Sequence, residues 1–198
     1  MIHWYVSEMG SDFEAWFDRL ATKPLPGGVA AAAVAASLGS ALVAKVCRLT
    51  LGQSSLSDQE RDNVKSVLGL AERQGVVMMA VVREDELGYQ SVLDTSRSPG
   101  SSPERRQAWQ RATEIPLQLA EGCRDLLERM PSLFEVCLPA ACADLKVGCR
   151  LLEVGVRAGL EAAESNLSRW QGGSASIPFL SRAERLRKGY LARPWCDG

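Results

Sequence analysis

From Pro24 to Ala44 the chain reads PLPGGVAAAAVAASLGSALVA, with no charge and almost every residue small. A run of this kind has three outlets: a secretory signal, a membrane span, or a helix enclosed by other helices. It starts too late for a signal, after the charged segment SDFEAWFDRLATK. About 20 residues suffice to cross a bilayer, but a span of alanine and glycine inserts poorly beside one of leucine and isoleucine. Small side chains do allow helix backbones to approach closely. The run therefore predicts a helix over 28–50 with close neighbours on nearly every side, central in its protomer or buried between subunits.

The remaining helices are marked by their starts. Ser11, Ser57, Ser132 and Ser181 each open an S-x-x-E sequence, the pattern of a capping box, and Ser102-Pro103 places an N-cap before a proline at the first helical position. Between these marks the apolar residues recur at three and four, with no hairpin signal. The spacing predicts an all-α, single-domain bundle of about six helices over 11–22, 28–50, 57–94, 103–129, 133–170 and 182–192. Two of these are long and bent, at Pro116 and Pro139, and the Ala/Gly-rich helix is central. A helical domain over 1–172 is followed by an extension over 173–198 that carries the basic helix RAERLRKGYL. That helix reads as a solvated surface element; an anion site at Arg182, Arg185, Arg187 and Lys188 is the alternative.

With 23 Lys and Arg against 24 Asp and Glu, the formal charge is −1, which argues against a general nucleic-acid or anionic-membrane binder. The six cysteines (Cys47, Cys123, Cys137, Cys142, Cys149 and Cys196) form no CxxC pair, and the single histidine, His3, is remote from all of them. They read as reduced, mostly buried thiols of a cytoplasmic protein, with no metal site.

Two carboxylates stand apart. Lys146, Arg150, Glu153, Arg157, Glu161 and Glu164 form one solvated stripe at 100° per residue, and Asp144 lies about 160° from Lys146, on the face of Gly148, Leu151 and Gly155. On the third helix, Asp85 falls in line with Ala71, Gly75, Met78, Val82, Tyr89 and Val92, while Glu84 and Glu86 point away. Each is either a buried structural carboxylate satisfied by a helix terminus or an arginine, or a desolvated acid/base. Asn166 lies about 33 Å along the helix from Asp144 and reads as a structural amide. Lys45 and Arg48, the only charges of the alanine-rich helix, either bind an anion or mark where it reaches water. Pro26, Gly27 and Gly28 precede that helix, and exposed backbone N–H groups there suit an anion; a plain tight turn is the other reading.

These segments, in order, carry a resemblance. PLPGG with the alanine-rich helix ending in VCRLTLG, Asp85 and Tyr89 in EDELGYQSVL, RATEIPLQLAEGC, ADLKVGCRLLEVG, and Asn166-Leu167 together resemble the cyclodeaminase/cyclohydrolase family related to the C-terminal domain of formiminotransferase-cyclodeaminase. The similarity covers about residues 12–168. It implies an all-helical homodimer acting on a tetrahydrofolate derivative without metal or redox cofactor. One reaction closes 5-formimino-tetrahydrofolate to 5,10-methenyl-tetrahydrofolate with loss of ammonia; the other hydrolyses the methenyl bridge to the 10-formyl compound. The resemblance makes Asp144 the catalytic acid/base and Asp85 a second acid that orients the pterin or Asp144. It assigns substrate binding to Pro26, Gly27, Gly28, Lys45 and Arg48, with the two basic residues facing the folate glutamate tail. The chain departs from the family pattern at Val29-Ala30 (usually Gly-Ser), at Cys137-Leu138 (usually Gly-Asn) and at Ala162 (usually Asn). The same scaffold also admits a non-catalytic folate- or anion-binding module, or a structural helical dimer.

Overall fold

The computed structural model describes residues 10–99, 102–170 and 173–191; His3 and Cys196 lie outside these. Among the described residues seven α-helices follow one another: α1 (Gly10–Thr22), α2 (Gly28–Leu51), α3 (Asp58–Asp94), α4 (Pro103–Leu127), α5 (Met130–Val136), α6 (Cys142–Arg169) and α7 (Ile177–Leu191). Short 3₁₀ turns lie at Pro139–Ala141 and Gly173–Ser176. No strand occurs among the described residues.

Two of the marked starts are caps. Ser57 forms a complete capping box, its hydroxyl accepting from the Glu60 N–H while the Glu60 carboxylate accepts from the Ser57 N–H at 2.8 Å. Ser102 accepts from Arg105 N–H, with Pro103 behind it. The other three marks fall inside helices: α1 begins at Gly10, α5 at Met130 and α7 at Ile177. Pro131 and Pro178, each the second residue of its helix, need no intrahelical N–H partner there, so the helix starts earlier than the serine.

The helix expected over 133–170 is two helices. Proline disfavours the α conformation in the residue before it. Leu138, before Pro139, has φ −56° and ψ 124°, and Cys137 is also extended, so α5 ends and α6 starts afresh after a 3₁₀ turn. Pro116, by contrast, lies inside an unbroken α4. A proline there leaves the carbonyl four residues back without its donor. That carbonyl belongs to Ala112, and the Asn166 side-chain amide of α6 donates to it at 2.7 Å. Asn166 is thus a structural amide, supplying the hydrogen bond that Pro116 removes.

α2, α3, α4 and α6 form a four-helix bundle in which α2 and α4 each pack against both α3 and α6. The small residues of α2 set the spacing. A methyl on Gly39 would stand 2.8 Å from the Gly148 carbonyl of α6, and one on Gly148 would stand 3.1 Å from the Gly39 carbonyl, so these backbones cross in near contact. Toward α3, the buried Ser40 hydroxyl donates to Ala71 O at 2.6 Å. By length and composition α2 would also pass for a membrane span, but Ala33, Ala36, Val43, Val46 and Cys47 are fully enclosed in the core.

The expectation of neighbours on nearly every side holds for most of α2 but not for all of it. Leu38, Ala41 and Lys45 are exposed and Ala31, Val34, Ala35 and Leu42 half-buried, leaving one open stripe along the helix. The tail helix is likewise not simply solvated. Ala183, Leu186 and Tyr190 bury one face of α7, and Arg182 bridges the α4 carboxylates of Glu114 and Glu121 at 2.6 and 2.5 Å. Arg187 pairs with Glu164 of α6.

Candidate active site

The sequence-derived site residues fall into two groups, one at each end of α2. At its N-terminal end, Pro26 is buried and Gly27 is the N-cap, whose carbonyl accepts the Ala31 N–H at 3.1 Å. Gly28 opens the helix with free space around it. Helix N-termini leave several N–H groups without intrahelical partners, and Asp85 of α3 meets this one. Its Oδ2 lies 4.0 Å from the position of a Cβ on Gly27, and the Ala30 backbone amide favours its charged form. Burial nevertheless dominates, and the nearby Glu86 carboxylate adds to it, so the Asp85 carboxyl is pushed up to about 6 from the usual 3.8. Glu86 itself turns outward to Arg19 of α1 at 2.7 Å. A single carboxylate thus enters this corner out of the acidic run.

The departure at Val29-Ala30 fits the same geometry. Among the described residues only Gly173 has positive φ, so the first turn of α2 is ordinary helix in which a β-branched residue fits. Val29 and Ala30 both enter the core, and the Ala30 amide serves Asp85 without a hydroxyl.

At the C-terminal end of α2 stand Lys45, Arg48 and Asp144. The Lys45 ammonium donates to Asp144 Oδ2 at 2.7 Å, joining α2 to the first turn of α6. Asp144 faces α2, as its position on the helix requires, but its side chain is 40% exposed, so it opens on solvent rather than being buried. Arg48 pairs instead with Glu72 of α3 at 2.6 Å. Lys45 and Arg48 both mark where α2 reaches water, each already holding a carboxylate. Two further groups frame this end. Thr50, fully buried, accepts from the Leu138 N–H at 3.3 Å, and Arg61 donates to the Leu51 and Gln53 carbonyls that close α2. Thr50 lies in the VCRLTLG segment but Arg61 carried no sequence signal; both act on backbone atoms, which no side-chain spacing reports.

Asp85 and Asp144 are not neighbours within the chain. Their partners on α2, Ala30 and Lys45, are fifteen residues apart, or about 22 Å along a straight helix. One chain therefore offers a desolvated carboxylate at one end of its central helix and a carboxylate–ammonium pair at the other.

The described residues form an all-α bundle with one partly buried carboxylate at the start of its central helix and a carboxylate–ammonium pair near that helix's end. The chain belongs to the formiminotransferase-cyclodeaminase family, whose profile matches residues 13–174. It is 30% identical over 124 residues to the methenyltetrahydrofolate cyclohydrolase of Methylorubrum extorquens, a match that spans 58% of this chain and 59% of that protein. It is 30% identical over 139 residues to the formimidoyltransferase-cyclodeaminase of Gallus gallus, spanning 66% of this chain but 26% of that one. Its fold is that of the formiminotetrahydrofolate cyclodeaminase of Thermotoga maritima, with a TM-score of 0.82 at 18% identity, covering 90% of this chain and 89% of the other.

Proposed function

We propose that this protein is a folate one-carbon enzyme, a 5,10-methenyl-tetrahydrofolate cyclohydrolase in the first reading and a formimino-tetrahydrofolate cyclodeaminase in the second. The Lys45–Asp144 pair carries the proposal, since it sets a carboxylate beside a proton donor at an open helix end. In hydrolysis the Asp144 carboxylate takes a proton from water as the water oxygen adds to the cationic methenyl carbon. The proton is then returned to N5 as the C–N5 bond breaks, and the hydroxyl proton of the intermediate is released to solvent, leaving the formyl group on N10. In the deaminase reaction N10 adds to the carbon of the protonated formimino group, its proton passes to the exocyclic nitrogen, and that nitrogen leaves as ammonia. Lys45 holds the carboxylate in place between these transfers and can turn to the substrate's anionic tail. The cyclohydrolase is placed first because the match to that relative spans the larger share of the relative's length.

Neither reaction consumes electrons, so the proposal includes no cofactor, and it places the enzyme in the cytoplasm without nucleic-acid or membrane partners. It also includes a homodimer formed along the open stripe of α2. The positions of that stripe are symmetric about Leu38, which is 52% exposed: Ala31 and Lys45, and Val34 and Leu42, lie equal distances on either side. A two-fold axis through Leu38 would run the two α2 helices antiparallel and set Ala31 of one chain against Lys45 of the other. Asp85 of one protomer would then approach the Lys45–Asp144 pair of the second, completing a site that neither chain holds alone.

The test follows the loss of methenyl absorbance with wild type and Asp144→Asn. The variant should be slower by about 10²- to 10⁴-fold, the usual contribution of a positioned acid/base. A wild-type rate equal to uncatalysed hydrolysis, together with no turnover of 5-formimino-tetrahydrofolate, would reject the enzyme. Folate binding without turnover would then identify a non-catalytic binding module.

A further inference from the structure

The turn between α5 and α6 holds two thiols that the proton chemistry does not use. Cys137 closes α5 and Cys142 opens α6, and the 3₁₀ turn between them brings their Sγ atoms to 2.8 Å. That is about 0.75 Å longer than a covalent S–S bond of about 2.05 Å. Contacts on both sides hold the turn in this shape: Leu138 N–H donates to the buried Thr50 hydroxyl, and Gln53 Nε2 donates to Val136 O at 3.2 Å. The two differ in access. Cys137 is 7% exposed, and burial together with the neighbouring thiol pushes it up to about 12, whereas Cys142 is half-buried. Cys47, Cys123 and Cys149 are fully enclosed in the core. Asp144 follows Cys142 by two residues, in the same first turn of α6.

We infer that Cys137 and Cys142 are a modification site, a dithiol that a low-molecular-weight disulfide converts reversibly to an intramolecular disulfide, and that this bond shifts Asp144 against Lys45. Only the second clause rests on the proposed role of Asp144. The chemistry is thiol–disulfide exchange. The Cys142 thiolate attacks one sulfur of the small disulfide, forms a mixed disulfide and expels the first thiolate. Cys137 gives its proton to that thiolate, and its sulfur attacks Cys142 Sγ, expelling the second small thiol. The protein loses two electrons and two protons, and the small disulfide is reduced to two thiols. Closing the remaining gap moves the first turn of α6 while Lys45 stays fixed on α2, so oxidation strains the ion pair.

The experiment uses the full chain carrying Cys196→Ser, titrated with glutathione disulfide and followed by intact mass and peptide mapping. The expected result is a loss of two hydrogens, a 137–142 cross-link, reversal by dithiothreitol, and no such product in Cys137→Ser or Cys142→Ser. An unchanged mass, or a mixed disulfide that persists in the chain with both thiols, overturns the site. Turnover of the oxidised protein should fall at least about threefold, because small misplacements of a reacting group are costly, and recover on reduction. The Cys142→Ser variant should be indifferent to the oxidant. Coupling is also read without turnover: Asp144→Asn should shift the glutathione redox midpoint of the pair, by reciprocity between linked equilibria. Identical midpoints, or a disulfide that leaves an active enzyme unchanged, overturn the control of Asp144. A disulfide that forms in a protein inactive even when reduced strikes the proposed activity alone.

Discussion

Asp85 shows how one residue is defined by what surrounds it. Its place on the core face of α3 is visible from spacing, but its protonation depends on contacts with α2. With a folded-state pKa of about 6 against the usual 3.8, the folded protein holds a proton that the unfolded chain has released between about pH 4 and pH 6. The stability this group contributes is therefore present below about pH 4 and is lost as pH rises through 6. Asp85→Asn keeps the shape and removes the charge. It should match wild type near pH 4 and exceed it by about 1–2 kcal/mol at pH 7.5, a value kept low because the site is partly open to water. Urea unfolding at the two pH values checks this; the same difference at both would show that the carboxyl does not titrate in that range. Asp144 is half-exposed and paired with Lys45 at the surface, so its variant should act on rate far more than on stability.

At the scale of elements, the packing of α4 and α6 rests on one exchange of hydrogen-bond partners. Pro116 takes a donor away from Ala112 O, and Asn166 restores it from the neighbouring helix. Asn166→Leu should cost about 1–3 kcal/mol, the penalty for leaving a buried acceptor unpaired. Pro116→Ala in the same chain should recover part of that loss, because alanine supplies the missing N–H; strictly additive effects in a double-mutant cycle would deny the link. The α2–α6 crossing makes a second demand. Gly39→Ala sets a methyl 2.8 Å from the Gly148 carbonyl and should destabilise by about 1–3 kcal/mol, the usual range for overpacking, although alanine is the better helix former. A thermal melt that rises on this substitution would contradict the close approach. Element existence was legible in the sequence because apolar spacing and caps are local. Element ends were less so: S-x-x-E occurs inside helices as readily as at their starts, and Pro131 and Pro178 moved the real starts upstream. The break before α6 was readable from Leu138-Pro139, while a proline of the same kind at Pro116 left α4 continuous because Asn166 lies across from it.

For the whole molecule the open stripe of α2 is the decisive feature. Leu38→Arg places a charge where the proposed two-fold axis crosses, so it should yield a monomer by sedimentation and lower turnover by at least about tenfold while leaving the helical content unchanged. A dimer that survives this substitution would point to a different interface. Complementation gives an independent reading. Asp85→Asn and Asp144→Asn, each inactive alone, should recover about one quarter of wild-type activity when unfolded and refolded together. Half the dimers are then mixed, and each mixed dimer holds one intact site and one doubly altered site. No recovery from a mixture shown to contain mixed dimers would mean that each site is built within one chain.

The sequence by itself determined the helical class, the central alanine-rich helix, the family, and the two carboxylates set apart from their charged neighbours. All of these follow from local spacing and side-chain type. Only the tertiary structure decided that Asp85 meets the start of α2 while Asp144 meets Lys45 near its end, that Asn166 repairs Pro116, and that Cys137 and Cys142 touch. Those pairings depend on which helices lie side by side and in what register. That choice is made by close backbone contacts such as Gly39 with Gly148, and no periodicity within a single helix encodes its partner.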